Sequence, residues 1–353
     1  MRAKLPNQEG LVDRDGVRIH YEVYGDGPET ILFIAPWAIV HARSWKAQIP
    51  WFSDHFRCLT YDPRGNGKSD RPDRMDAYAL EHYVNDALAV LDATQTRSAI
   101  LVGLSLGGLI ASILAAHHSA RTRAAVLIDA LATIGPGYPY LTPQHFETRR
   151  HSFEGWDKYN REYWLSDYED FARFFLGTAN RDPHSTKQLE DALEWAAQTD
   201  GQTLAHTIAA RTIRPSFDVG EQMYRSIRCP LLVIHNTGDP IQPIGRDQSQ
   251  HAAELVTLLH KIDFIAELGQ GARCTQACGS AAQDGHLLAI GFRRRKLGNA
   301  SVPACKLDDG GLYLGNVDGP VKVLAGAGRH AESIGADKPT ASPKRIVPHD
   351  FAG

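Results

Sequence analysis

The stretch Ser98-Ala99-Ile100-Leu101-Val102-Gly103-Leu104-Ser105-Leu106-Gly107-Gly108-Leu109-Ile110-Ala111-Ser112-Ile113-Leu114 decides how the chain is read. It opens as an unbroken apolar run, the pattern of a strand buried on both faces. It then passes through Gly-x-Ser-x-Gly, centred on Ser105, and continues as a helix of small and aliphatic residues. Strand, sharp turn and helix in that order force the serine into a strained conformation, with its hydroxyl exposed at the carboxyl edge of a sheet. Gly103 and Gly107 are needed because a side chain at either would collide with the crossing strand and helix. The helix start also offers backbone N–H groups without intrahelical acceptors, a donor array suited to a developing oxyanion.

A membrane span is the competing reading, because Ala99 to Ala116 carries no charge and approaches the length of a spanning helix. Three glycines and Ser105 interrupt the run where a spanning helix is most apolar. A strand, turn and helix of a globular protein is the better reading, and no membrane partner is expected. The chain has 353 residues, 43% hydrophobic and 22% charged, enough for one large domain with an insertion or for two domains. A net charge of −3 gives no reason to expect nucleic acid. Met1 to Gly10 has basic residues without a following apolar segment, unlike a signal peptide. Five cysteines without regular spacing fit a reducing interior, so the expected location is the cytoplasm.

Working outward, Leu11-Val12 and Val17 to Tyr24 flank the turn Asp15-Gly16 and read as an edge hairpin. Thr30 to Ile34 reads as a buried strand running into Ala35-Pro36-Trp37-Ala38. A short helix from Trp45 to Phe52 leads to a strand at Arg57 to Tyr61. A helix follows from Leu80 to Thr94, with Val84, Leu88 and Leu91 on a core face. Ala124 to Asp129 is the next strand. Alternating strands and helices imply a parallel sheet with right-handed crossovers.

Asp62-Pro63-Arg64-Gly65-Asn66-Gly67-Lys68-Ser69 directly follows the second of these buried strands. A loop of the form Asp-x-Arg-Gly-x-Gly-x-Ser there, with a serine turn after the next strand, resembles the α/β-hydrolase fold superfamily. The closest look is to its cap-bearing esterases, carbon–carbon bond hydrolases and cofactor-free haloperoxidases, over roughly residues 11 to 258. A phosphate-loop reading of Gly65 to Ser69 lacks the first glycine at the required distance and the buried helix behind. Asp62 and Arg64 are expected to brace the loop beside the nucleophile.

The resemblance implies a mostly parallel sheet flanked by helices, built from residues 11–134 and 226–259, with a helical cap at 135–225. From Gly135 to about Arg225 the chain is rich in aromatic residues, Phe146, Trp156, Trp164, Phe171 and Trp195 among them. A lid needs such apolar surface to dock and to wall a dry pocket. Most of these rings are expected to pack on one another, and the substrate class implied is a small to medium, largely apolar ester or related carbonyl compound. No cofactor and no metal are expected.

The sheet resumes at Pro230 to His235, and Gly238-Asp239 with Pro243 beyond matches the position of the family's triad acid. A helix or turn cap is the alternative role for Asp239. His235 reads as a core histidine. Glu254 to Leu259 reads as the last strand, but the family's Gly-x-Gly-His turn does not follow it. His260 comes next and is the expected triad histidine; His286, in Asp284-Gly285-His286-Leu287 with an expected helix behind it, is the alternative. The oxyanion donors are expected to be the backbone N–H groups of Leu106 and Trp37, with Ala35-Pro36 standing where the family has His-Gly. Dehalogenase and epoxide hydrolase chemistry are disfavoured, since both use an aspartate where this chain has Ser105.

Residues 260–353 depart from the family. They hold 14 of the chain's 31 glycines and none of its six tryptophans, and periodicity fades. A disordered appended tail, a small extra module, and a product that left the ancestral reading frame near residue 260 are the three readings; the last fits the abrupt change best. Cys274, Cys278, His286 and Cys305 could form a zinc set, but their spacing matches no common finger. The expected mechanism is acyl transfer through Ser105, a histidine and Asp239. A hydrolase-fold ligand-binding protein with an incomplete triad is the alternative.

Overall fold

The computed structural model describes residues 4–133, 139–180, 186–234, 239 and 241, and the strand backbone of 235–236, 264–268, 287–294, 304–308, 311–312 and 331–334. The chain divides into two units: Met1–Thr178 with Lys187–Cys229, and Ala179–Thr186 with Pro230–Gly353.

In the first unit, β1 (Gln8–Arg14) and β2 (Val17–Tyr24) form the expected hairpin. Asp15 and Gly16 have φ of 54° and 83°. Two positive values in a two-residue loop are what the twist of a hairpin favours. β3 (Thr30–Ile34), β4 (Arg57–Tyr61), β5 (Ala99–Leu104) and β6 (Thr122–Ile128) follow. The strand order is β1-β2-β4-β3-β5-β6. β4, β3, β5 and β6 run parallel, and β2 joins β4 antiparallel.

The parallel strands bury both faces, which is why their sequences read as continuous apolar runs. Alternate residues Ile31, Phe33, Cys58 and Val102 pack with Trp45, Ile49 and Phe56 on one face. The connection there holds a 3-10 turn at Ala42–Trp45 and the short helix α1 (Ile49–Phe52), where a single helix from Trp45 is expected. Pro50 lies in the first turn of α1. It has no N–H to continue an earlier helix and suits a new helix start. Two longer helices, α2 (Leu80–Ala93) and α3 (Leu106–His117), pack against the sheet. Val84 and Leu91 of α2 are buried and Leu88 is half-buried, as the helical spacing predicts.

The region beyond β6 is helical: α4 (Pro143–Glu147), α5 (Arg161–Ser166), α6 (Tyr168–Ala179), α7 (Lys187–Ala196), α8 (Gly201–Ala209) and α9 (Glu221–Ser226). Asn160 and Asp200 cap α5 and α8 by accepting hydrogen bonds from first-turn N–H groups. Among the described residues, no helix is long and apolar enough to cross a membrane.

The second unit contains β7 (Leu231–Asn236), β8 (Phe264–Leu268) and β9 (Leu287–Arg294), antiparallel in the order β7-β9-β8. It also has a three-stranded sheet of β10 (Ala304–Asp308), β11 (Gly311–Leu312) and β12 (Ala331–Ile334), in the order β11-β10-β12. The helix expected after His286 is thus a strand, β9. Leu287-Leu288-Ala289-Ile290-Gly291-Phe292 is a short apolar run, and periodicity alone does not separate helix from strand at that length. The strand expected at Glu254 to Leu259 lies outside the described residues.

Candidate active site

Ser105 stands between β5 and α3 with φ 52° and ψ −117°. For a residue with a side chain this left-handed backbone is strained, and it persists only where the surroundings hold it. Those surroundings are backbone hydrogen bonds. The Ser105 N–H donates to Ile128 O at 2.9 Å, while Ser105 O accepts from Gly108 N–H at 2.9 Å and Leu131 N–H at 3.0 Å. The residue is half-buried, so its hydroxyl is not sealed in the core.

Glycine at 103 and 107 follows from close approach. A Cβ on Gly103 would overlap the Gly107 carbonyl, and one on Gly107 would lie 2.5 Å from Ile34 O and 2.7 Å from Ala35 O. The turn after β3 is therefore pressed against the start of α3. That contact brings the Ala35-Pro36-Trp37 segment beside the Leu106 end of the helix, where first-turn N–H groups lack intrahelical acceptors. Trp37 is buried; its indole N–H donates to Thr207 Oγ1 at 2.9 Å, and its rings lie 5.8 Å from Trp164 and 5.5 Å from Phe175.

The loop after β4 braces this turn. Asn66 Nδ2 donates to Ala38 O at 2.8 Å. Asp62 is buried, with Oδ1 3.4 Å from His41 Nδ1 and Oδ2 3.3 Å from His20 Nδ1. It also accepts from Ala42 N–H at 3.2 Å and Lys68 N–H at 2.9 Å. Burial alone would push the Asp62 carboxyl up, but the histidine and backbone hydrogen bonds outweigh it and hold the group well below the usual carboxylate range. Arg64 is buried too, and forks onto Asp86 with Nη2 2.6 Å from Oδ1 and Nε 2.7 Å from Oδ2. Its Nη1 donates to Ala77 O. Asp62 and Arg64 thus brace the loop, as expected.

Most of the aromatic rings between α4 and α7 pack on one another. Phe146, Tyr159, Trp164 and Phe171 are all buried, with centroids 4.6 Å apart for Phe146–Trp164 and 4.3 Å for Trp164–Phe171. α7 is tied to the turn before α1. Asp191 accepts from both Lys46 and Lys187, the Lys46 ammonium lies 5.5 Å from the Trp195 ring centroid, and the His41 ring lies 5.9 Å from that of Trp195.

Of the expected site residues, Ser105, Leu106 and Trp37 belong to the first unit, where the turn that leads from β3 to Trp37 meets the start of α3 at Gly107. Asp239 belongs to the second unit, half-buried, with Oδ1 accepting the Ile241 N–H at 2.7 Å. His260 and His286 lie outside the described residues, as do Cys274 and Cys278 and the side chain of Cys305. His20, His41 and Asp86 are the supporting residues that sequence reasoning misses. The alternation of β2 places His20 on the face of Glu22 and Tyr24, but nothing in it points to Asp62.

One group among the described residues has the chemistry of a cation site: Glu9, His20 and Glu22 hold ligand atoms within 4.8 Å of one another. Each already has protein partners. Lys68 Nζ donates to Glu9 at 2.7 Å, Tyr24 OH donates to Glu22 at 2.5 Å, and His20 lies against Glu9 and Asp62.

A family model described as alpha/beta hydrolase fold matches residues 41–260. The chain is 26% identical over 235 residues to 3-oxoadipate enol-lactonase 2 of Acinetobacter baylyi, covering 66% of this chain and 80% of that protein. It is 27% identical over 247 residues to non-heme chloroperoxidase of Burkholderia pyrrocinia, covering 67% and 84%. The crystal structure of an esterase from Rhodococcus sp. is similar with a TM-score of 0.53 at 26% identity, covering 70% of this chain and 86% of that one.

Proposed function

The chain belongs to the alpha/beta hydrolase fold family, and from that premise we propose that it is a serine hydrolase acting on a small to medium, largely apolar ester or lactone. The observation that carries the proposal is the left-handed backbone of half-buried Ser105 between β5 and α3. That conformation lifts a hydroxyl from the sheet edge and sets it beside helix N–H donors.

The reaction is acyl transfer in two steps. Ser105 Oγ attacks the substrate carbonyl while a histidine accepts its proton, and the carbonyl oxygen becomes an oxyanion. The backbone N–H groups of Leu106 and Trp37 receive that oxyanion; Pro36, without an N–H, cannot. The imidazolium returns its proton to the departing alkoxide, leaving an acyl-serine. Water, deprotonated by the same imidazole, attacks the acyl carbon, and collapse regenerates Ser105 and releases the acid. His260 is the proposed base, with His286 as the alternative, and Asp239 stabilises the imidazolium. The region 135–225 acts as a cap, with the Trp164 cluster behind Trp37 forming an apolar wall. The lactonase and esterase among the relatives support this substrate class.

Turnover of short-chain p-nitrophenyl esters and small lactones by wild type, Ser105→Ala, His260→Ala and His286→Ala tests the proposal. Loss of turnover in Ser105→Ala and in one histidine variant supports it. An inert wild type that still binds apolar ligands overturns the enzyme reading in favour of a ligand-binding protein on the same scaffold.

A further inference from the structure

We infer that Asn66 is a positioning residue for the proposed reaction: its side-chain amide sets the turn that carries the Trp37 N–H, and so orients that oxyanion donor. The inference rests on the serine-hydrolase reading. Asn66 is 0% exposed and lies between Gly65 and Gly67, whose φ values are 95° and 61°. Both are left-handed, a backbone that glycine adopts without steric penalty. The Asn66 backbone is engaged within its own loop. Its N–H donates to Pro63 O at 3.1 Å, and its carbonyl accepts from Ser69 N–H at 3.3 Å. The side chain is fixed as well. Oδ1 accepts the Gly67 N–H at 2.5 Å, which turns Nδ2 outward to donate to Ala38 O at 2.8 Å.

Ala38 is the second residue of a tight turn, closed where Val40 N–H donates to Trp37 O at 3.1 Å. It is fully buried, and a buried carbonyl without a donor is costly. The carbonyl that Asn66 holds is one residue on from the Trp37 N–H. In a closed turn the two peptides have little freedom to rotate separately.

The rest of the arrangement runs through α8. The Trp37 indole donates to Thr207 Oγ1, and a Cβ on Gly65 would lie 2.9 Å from Thr203 Cγ2. Thr203 and Thr207 are both buried and stand four residues apart on α8, one above the other on the same face. The turn and the loop are thus each seated on one helix, and Asn66 joins them to each other. A tether through the indole alone fixes the ring and leaves rotation about the side-chain bonds. The backbone N–H needs a second anchor, and the Asn66 amide supplies it.

Two variants separate the amide from its volume. Asn66→Leu keeps most of the side chain's bulk without the donor, and Asn66→Ala removes both. The measurements are kcat and KM on a short-chain p-nitrophenyl ester, melting temperature, and inhibition by two ketones of matching shape. With a trifluoromethyl ketone, Ser105 Oγ bonds to the carbonyl carbon, the serine proton passes to the imidazole, and the carbonyl oxygen becomes an anion held by the oxyanion donors. The corresponding methyl ketone serves as the ground-state ligand. Displacing one oxyanion donor costs about 10²–10³ in kcat, so a loss of at least about 10-fold is expected in both variants, with KM nearly unchanged. Affinity for the trifluoromethyl ketone falls by the same factor as kcat, while affinity for the methyl ketone holds. Should Asn66→Leu fail to fold, Asn66→Ala with the ketone pair carries the test. Wild-type kcat in Asn66→Leu, with a loss in Asn66→Ala alone, shows a packing role and overturns the inference. So does a loss of kcat in which both ketones weaken alike or neither weakens. Wild-type turnover that persists in Ser105→Ala overturns the serine-hydrolase reading and the inference with it; Ser105-dependent turnover that is indifferent to both Asn66 variants overturns the inference alone.

Discussion

The indole N–H of Trp37 donates to Thr207 Oγ1 at 2.9 Å, and that hydroxyl donates onward to Leu204 O at 2.7 Å within α8. A turn proposed to supply an oxyanion donor is thereby anchored to a helix more than a hundred residues away, as buried indoles generally require a partner. Thr207→Val keeps the shape and leaves the Trp37 N–H buried without an acceptor. Such a change costs about 1–3 kcal/mol. Urea denaturation should show that loss in Thr207→Val and little loss in Thr207→Ser.

Gly107→Ala should damage the site more than the fold. Its Cβ would meet Ile34 O at 2.5 Å and Ala35 O at 2.7 Å, so the turn after β3 must move away from α3. Overpacking of this kind costs about 1–3 kcal/mol, whereas displacing one oxyanion donor costs about 10²–10³ in kcat. Ester turnover and urea midpoints measured together should show the larger effect on kcat.

The Arg64–Asp86 pair is expected to behave as a buried ion pair. Both side chains are buried, and removing one partner strands a charge. Asp86→Asn or Arg64→Met should each cost about 3–5 kcal/mol, and the combined Arg64→Met/Asp86→Leu variant should recover part of the loss. A double-mutant cycle from denaturation curves measures the coupling.

Asp62 gives the fold an acid-sensitive brace. Its folded carboxyl is held below the unfolded value by His20, His41 and the Lys68 N–H acting against burial. A depressed folded value contributes stability that is fully present above the unfolded value of about 3.9 and is lost as pH falls towards the folded one. The stability advantage of wild type over Asp62→Asn should therefore be largest near neutral pH and shrink below about pH 4. Denaturation midpoints of both proteins at neutral pH and near pH 3 check the sign.

Local features of the chain are legible in its sequence. The β5 run, the Ser105 turn and α3 are contiguous, and Gly103 is required by the Gly107 carbonyl four residues on, although the carbonyls that require Gly107, those of Ile34 and Ala35, lie far off in sequence. Asp15-Gly16 specifies its hairpin for the same reason. Pairings across long separations are not legible: Asp62 with His20 and His41, Arg64 with Asp86, and Trp37 with Thr207 join residues whose local patterns carry no sign of one another. The strained φ of Asp129 is hidden as well, because Val126-Leu127-Ile128-Asp129 reads as a plain strand ending in a polar residue. The helix expected behind His286 is instead β9, because a short apolar run suits helix and strand alike.

The most direct measurement is intact-protein and peptide mass spectrometry after treatment with a fluorophosphonate, which phosphonylates only an activated serine. One adduct per chain is predicted, located on the peptide that contains Ser105 and lost in Ser105→Ala. An unlabelled wild type, or an adduct that persists in Ser105→Ala, would contradict a nucleophile at Ser105.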